Sequence, residues 1–250
     1  MSGRKMEKLK QMPLFDHIAE LRSRIIAAGT FFLVAVALCY TFRYEIYNFM
    51  VAPLAKALVA NGLKPELIFT SPAEAFTSML GLVFRAALLF SAPFFVAQAW
   101  LYVSPALYKS EKRPALIYAV AAMILFLAGA VFAYMLVLPV ALRFLSGFVD
   151  GAGLAAPLVP QMKIAEYFSF AVAMMFAFGI CFITPVLLVF MVRFGAVRNA
   201  TLRAGRKYWV LFAFVIGAIL TPPDVASQVM LALPLIAMYE AAILITRRHG

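Results

Sequence analysis

Six long apolar runs constrain this chain more than any other feature: Ile25–Phe42, Met79–Leu101, Ala115–Leu138, Tyr167–Val192, Tyr208–Leu220 and Val225–Thr246. About 20 apolar residues are needed for a helix to cross a ~30 Å hydrocarbon core, and a helix satisfies its own backbone there. Five of the runs reach that length within error. The fifth covers only about 20 Å at helical rise, so it must thin the bilayer or shelter against neighbouring helices. A basic loop before it and the turn Thr221-Pro222-Pro223-Asp224 after it still mark it as a span. Only 13% of the 250 residues are charged, about half of what soluble domains carry. The pattern predicts an all-α integral membrane protein: six transmembrane helices in one membrane domain over residues 1–250.

The bases orient the bundle. The N-terminal segment carries Arg4, Lys5, Lys8, Lys10, Arg22 and Arg24. The loop after the second run adds Lys109, Lys112 and Arg113, and the loop after the fourth adds Arg193, Arg198, Arg203, Arg206 and Lys207. With Arg247 and Arg248, sixteen of the 22 lysines and arginines fall on one side. The other side has Arg43, Lys56, Lys64, Arg143 and Lys163. The positive-inside rule then predicts a protein of the cytoplasmic (inner) membrane with both termini cytosolic. The net charge of +11 is thereby explained by topology, and no nucleic acid is needed as a partner. The first run begins after a long, mixed polar segment unlike a cleavable signal peptide.

Apolar positions also appear outside the spans. Leu14, Ile18, Leu21 and Ile25 fall on one stripe, predicting an amphipathic N-terminal helix that runs into the first span. Ile46, Met50, Leu54 and Leu58 recur every four residues before the turn signal Asn61-Gly62, predicting an amphipathic cap helix at the outer surface. A second extracytoplasmic cap segment, residues 139–166, opens at Pro139, runs helically to Val149 and breaks at Asp150-Gly151-Ala152-Gly153. No internal repeat is visible.

Enzyme chemistry finds little support. His17 and His249 both lie outside the apolar runs, so an intramembrane hydrolase lacks its base and a zinc site its ligands. Cys39 and Cys181 sit inside apolar runs and read as packing residues. No cofactor or metal is indicated. A solute transporter, the alternative polytopic function, needs a carboxylate near the midplane. Glu240 instead lies close to the basic end of its run. Two readings of Arg85 stay open, outward snorkelling or a watery pocket shared with Glu74 or Glu166.

Three other acids each have a plain explanation. Glu20 can pair with Arg24 one helical turn on. Glu111 precedes Pro114 near a helix start, where the macrodipole favours an anion. Asp224 can cap the sixth span.

Together these residues belong to a longer pattern: His17-x-x-Glu20-Leu21-Arg22-x-Arg24; Ser91-Ala92-Pro93 with Trp100; Pro105-Ala106-Leu107-Tyr108-x-x-Glu111-Lys112-Arg113; Phe178-Gly179 with Pro185; and Thr221-Pro222-Pro223-Asp224-x-x-Ser227-Gln228 running to Tyr239-Glu240. The set, in this order over residues 13–248, resembles the TatC family, the polytopic subunit of the twin-arginine protein translocase. The resemblance implies a core subunit that binds twin-arginine signal peptides at the cytosolic face. It also implies that single-span Tat subunits of the TatA and TatB type join it in homo- and hetero-oligomers to export folded proteins. Glu20 and Glu111 would receive the arginine pair, with Arg22, Lys112 and Arg113 around them. Thr184, Pro185, Asp224, Gln228 and Arg85 would serve partner contact or gating. The sequence departs from the family at Ile183, where many relatives carry a Glu or Gln, leaving Thr184 as the neighbouring polar group. Arginine's planar fork meets a carboxylate through two parallel hydrogen bonds, which is why lone acids among bases can select it.

Overall fold

A computed structural model describes residues 14–103, 109–147, 161–193, 195–220 and 225–247. Helix α1 (Leu14–Thr41) is followed by α2 (Arg43–Ala60), the two-residue strand β1 (Leu67–Ile68) and α3 (Pro72–Val103). Next come α4 (Lys109–Phe132), a π-helical turn Ala133–Val137 and α5 (Leu138–Gly147). Strand β2 (Met162–Lys163) leads into α6 (Ile164–Arg193), and α7 (Asn199–Leu220) and α8 (Val225–Thr246) complete the chain.

Four helical stretches are long and apolar enough to cross a membrane: 17–41, 72–99, 116–147 and 164–193. Helices α7 and α8 are each 22 residues long, with shorter apolar parts. The fifth run is therefore the apolar half of a longer helix. Its first turns carry Arg203, Arg206 and Lys207, all exposed, so hydropathy alone does not show where α7 begins.

The third run does not stop at Leu138 either. Helix α4 passes through the π turn into α5 as one rod, and Pro139 lies in its path. Proline has no N–H and its ring collides with the carbonyl four residues back. A π turn just before it widens the helix, with the Leu138 N–H reaching the Ala133 carbonyl. A kink is thus absorbed rather than a helix ended. Residues 148–160, with the break expected at Asp150–Gly153, lie outside the described residues.

The main core lies between α2, α3, α4, α5 and α6, around Leu54, Leu82, Leu138, Phe168, Met174 and Phe178. Two glycines set how closely α4 and α6 approach. A Cβ on Gly129 would stand 2.5 Å from the Phe178 carbonyl oxygen, and one on Gly179 would stand 2.7 Å from the Phe126 ring. Small residues at such crossings let backbones pack in place of a hydrophobic driving force. Helix α1 stands apart: 11% of its span is buried, against 33% for that of α3, its main neighbour. Their seam contains Ala35, Cys39, Val83 and Ala87. Cys39 and Cys181 are both buried free thiols, as packing residues should be.

The cap helix follows its stripe, with Met50, Leu54 and Leu58 buried and Ile46 packed against them. It ends at Asn61-Gly62, where Gly62 has φ +70°, a conformation that costs other residues about 1–2 kcal/mol. Sequence patterning misses the next element. The segments before α3 and α6 are tied by a parallel pair, Leu67 with Met162 and Ile68 with Lys163, too short for any periodicity to reveal.

Candidate functional site

Contacts between helix ends define two poles. At the basic pole α1 begins beside the end of α3, α4 begins beside the end of α6, and α7 begins beside the end of α8. The α2 cap covers the other pole.

The expected N-terminal helix is continuous with the first span as α1. Its stripe faces outward, with Ile18 and Ile25 each 62% exposed. That suits a helix entering lipid headgroups rather than a protein core. Its other face meets α3. The His17 ring stacks on Tyr102 at 4.4 Å. One turn on, Arg24 Nη2 donates to Glu20 Oε1 at 3.1 Å, and the Glu20 side chain is 19% exposed. Beneath this pair lies a cavity of about 260 Å³ lined by Leu21, Arg24, Ile25, Phe95, Gln98 and Tyr102. Two buried atoms in its wall, Arg24 Nε and Gln98 Oε1, have no hydrogen-bond partner among the described residues. Arg22 is exposed.

Glu111, Lys112 and Arg113 fall in the first turns of α4, where an acid is favoured. Their side chains and residues 104–108 lie outside the described residues, as does Asp224. The structure places Glu20 one turn after His17, which stacks on Tyr102 near the end of α3. Gln98 and Tyr102 are site neighbours that sequence reasoning did not single out. Their signal was their place on the last turns of α3, directly before the Pro105–Arg113 motif.

The remaining candidates scatter. Gln228 donates through Nε2 to the Phe214 carbonyl at 2.9 Å and packs its stem on Gly217, which braces the α7–α8 hairpin. The same hairpin is joined by Arg206 to Glu240 at 2.8 Å, Tyr239 Oη to the Leu202 carbonyl at 2.9 Å, and Trp209 Nε1 to the Leu235 carbonyl at 3.1 Å. Glu240 thus sits near the basic pole with a cationic partner. On α6, Pro185 is buried, and Thr184 and Ile183 are half-buried. Cys181, one turn back, packs against Ala213, Ala232 and Leu235 of the hairpin. Ser91 of the Ser-Ala-Pro motif is fully buried in α3, and its hydroxyl has no partner among the described residues.

Arg85 runs along α3 towards the capped pole. Its guanidinium lies back along α3, so a Cβ on Gly81 would touch Nη1 at 3.0 Å. Helical side chains lean towards the N-terminus, which in α3 is the capped pole. The shared pocket does not form. Glu74 accepts from the Thr70 N–H and hydroxyl at 2.6 and 2.8 Å, and Glu166 faces Lys163 at 3.9 Å. Arg85 makes no ion pair among the described residues.

The model for TatC, Sec-independent protein translocase protein, matches residues 16–234. Proteins described as Sec-independent protein translocase protein TatC are similar throughout. That of Magnetococcus marinus is 37% identical, covering 95% of this chain and 85% of the relative. That of Escherichia coli K12 is 36% identical, with 94% and 88% covered. That of Aquifex aeolicus is 35% identical, with 93% of each covered. A crystal structure of the twin-arginine translocase receptor TatC superposes with a TM-score of 0.76 at 33% identity, covering 92% of this chain and 98% of that one. The fold is accordingly that of an all-α, six-span membrane protein, and the shared family is one of transport components. This chain belongs to the TatC family of Sec-independent protein translocase proteins.

Proposed function

We propose that this chain is the receptor core of a twin-arginine translocase, one membrane domain in the cytoplasmic (inner) membrane with the basic pole and both termini in the cytosol. Signal peptides bearing two adjacent arginines bind there, at Glu20 and Glu111 among Arg22, Lys112 and Arg113. Single-span subunits of the TatA and TatB type assemble with it to export folded cargo, and Thr184–Pro185 on α6 is offered as a partner contact. The sixteen bases on one side support the orientation. One observation carries the binding role: the Glu20 carboxylate at the basic pole already holds a guanidinium, that of Arg24, at 3.1 Å. That contact supports the reading that this carboxylate accepts an arginine. A basic surface repels cations in general, so an isolated acid confers selectivity as well as attraction.

Each arginine–carboxylate contact is worth roughly 1.5–3 kcal/mol, and solvent access favours the lower end. Glu20→Gln and Glu111→Gln should each weaken a labelled twin-arginine peptide about tenfold. Changing the peptide's arginines to lysines should also weaken it, because an ammonium lacks the two-pronged donor. Unchanged affinity in both variants would sink the receptor assignment.

A further inference from the structure

Arg24 does more than orient Glu20. We propose that it is a built-in stand-in for the incoming arginine, which holds the Glu20 carboxylate in the empty receptor and passes to Gln98 when a peptide guanidinium takes its place. The idea rests on the receptor reading above and adds a regulating residue to that site.

Three observations meet in one small volume. Arg24 Nη2 donates to Glu20 at 3.1 Å, so the carboxylate is engaged before any peptide arrives. The guanidinium's other face is unsatisfied, since Nε is buried without a partner among the described residues. Gln98 Oε1 is a buried acceptor in the same condition, and both side chains line the same cavity of about 260 Å³. An unpaired buried donor and an unpaired buried acceptor on two side chains that line one cavity form a poorly satisfied arrangement. Turning the guanidinium into the cavity would satisfy both and free Glu20. The exchange conserves hydrogen bonds: Glu20 loses an internal donor and gains the peptide's, while Arg24 gains the Gln98 amide oxygen. Leu21, Ile25 and Phe95 also line the cavity, so the arginine stem stays in apolar contact as its head moves.

The arrangement also discriminates. A ligand must offer a better fork than Arg24 does, which a lysine or a single weak contact cannot. Competition for the acid thus sharpens the choice of arginine without adding a contact to the peptide.

The test compares a fluorescent twin-arginine peptide on the full-length native chain, Glu20→Gln, Arg24→Met, Gln98→Met and the Arg24→Met/Gln98→Met pair, in lipid nanodiscs. Methionine matches glutamine in length and keeps the apolar stem of arginine without its guanidinium. Arg24→Met should tighten binding roughly two- to fivefold, the range of a partly exposed ion pair. A bracing role predicts the opposite sign, and misfolding cannot produce tighter binding. Gln98→Met should weaken binding roughly two- to fivefold with Arg24 present and leave it unchanged in the pair. If Glu20→Gln alone binds as the native chain does, the stand-in role fails, and if Glu111→Gln does so as well, the receptor reading itself fails. Weakening by Glu20→Gln with no tightening by Arg24→Met would overturn the stand-in role and leave that reading intact. Tightening by Arg24→Met without the Gln98 dependence would overturn the hand-over.

Discussion

The capped pole and the basic pole are built from the same helices and treat their polar atoms in opposite ways. At the capped pole the Tyr167 hydroxyl donates to the Met50 carbonyl, and the Tyr134 hydroxyl donates to that of Phe49 at 2.6 Å. Asn61 Nδ2 donates to the Arg143 carbonyl at 3.0 Å and to Ser146 at 2.7 Å. Around these bonds sit Leu54, Leu138, Leu142 and Phe168, each at most 2% exposed. At the basic pole, the His17–Tyr102 stack joins α1 to α3, and the Arg24–Glu20 pair, internal to α1, lies beside Gln98, with Arg24 Nε and Gln98 Oε1 unpaired among the described residues. One pole is a scaffold cross-linked by hydrogen bonds between distant helices, with the buried Ser78 hydroxyl unpaired among the described residues. The other keeps bonding capacity in reserve, as a surface awaiting a ligand does.

The largest effect should come from opening the scaffold. Phe168→Ala removes a fully buried ring that meets Tyr47 edge-on at 5.6 Å. A loss of about 3–5 kcal/mol follows from the lost contacts and the cavity, read as a lower midpoint in denaturant titration in detergent. Peptide affinity of the fraction that stays folded should not change. Equal damage to both would break the contrast between the poles.

A finer cut at the same pole is Tyr167→Phe, which leaves the ring and deletes one hydroxyl. The Met50 carbonyl keeps its place in the α2 helix ladder and loses a second donor in a buried site, costing about 0.5–1.5 kcal/mol. A loss under 0.5 kcal/mol would show that the capped pole owes its rigidity to packing rather than to these bonds.

What could be read from sequence divides along the same line. Apolar runs are set by lipid, so α1, α3 and α6 appear at nearly their observed places, and the Met50-Leu54-Leu58 stripe reveals α2. Properties that depend on one helix meeting another leave no period. Gly129 and Gly179 look ordinary until the Phe178 backbone and Phe126 ring are seen against them. The β1–β2 pair joins residues almost a hundred positions apart. Pro139 reads as a boundary, and only the π turn shows how the helix continues. At the site, Glu20 and Arg24 are legible as partners at helical spacing. Gln98 and Tyr102 are not, because their role arises from where α3 ends beside α1.

The smallest expected effect is the stability change in Glu20→Gln, and it tests the contrast from the other pole. The Arg24–Glu20 pair spans one turn of a single helix, with Arg24 33% and Glu20 19% exposed. Such pairs stabilise a helix by about 0.3–0.5 kcal/mol, and salt screens them. Glutamine keeps a carbonyl oxygen that can still accept from Arg24, so part of the contact survives. The denaturation midpoint should therefore move by less than the ~0.5 kcal/mol equivalent, and less again at 0.5 M salt, while peptide binding falls about tenfold. Tyr167→Phe should show the inverse, with stability lost and binding kept. A residue that matters to the ligand and hardly to the fold marks a recognition surface. If Glu20→Gln instead destabilised the chain as much as Tyr167→Phe does, the basic pole would be part of the scaffold, and the unpaired atoms beneath it would need another explanation.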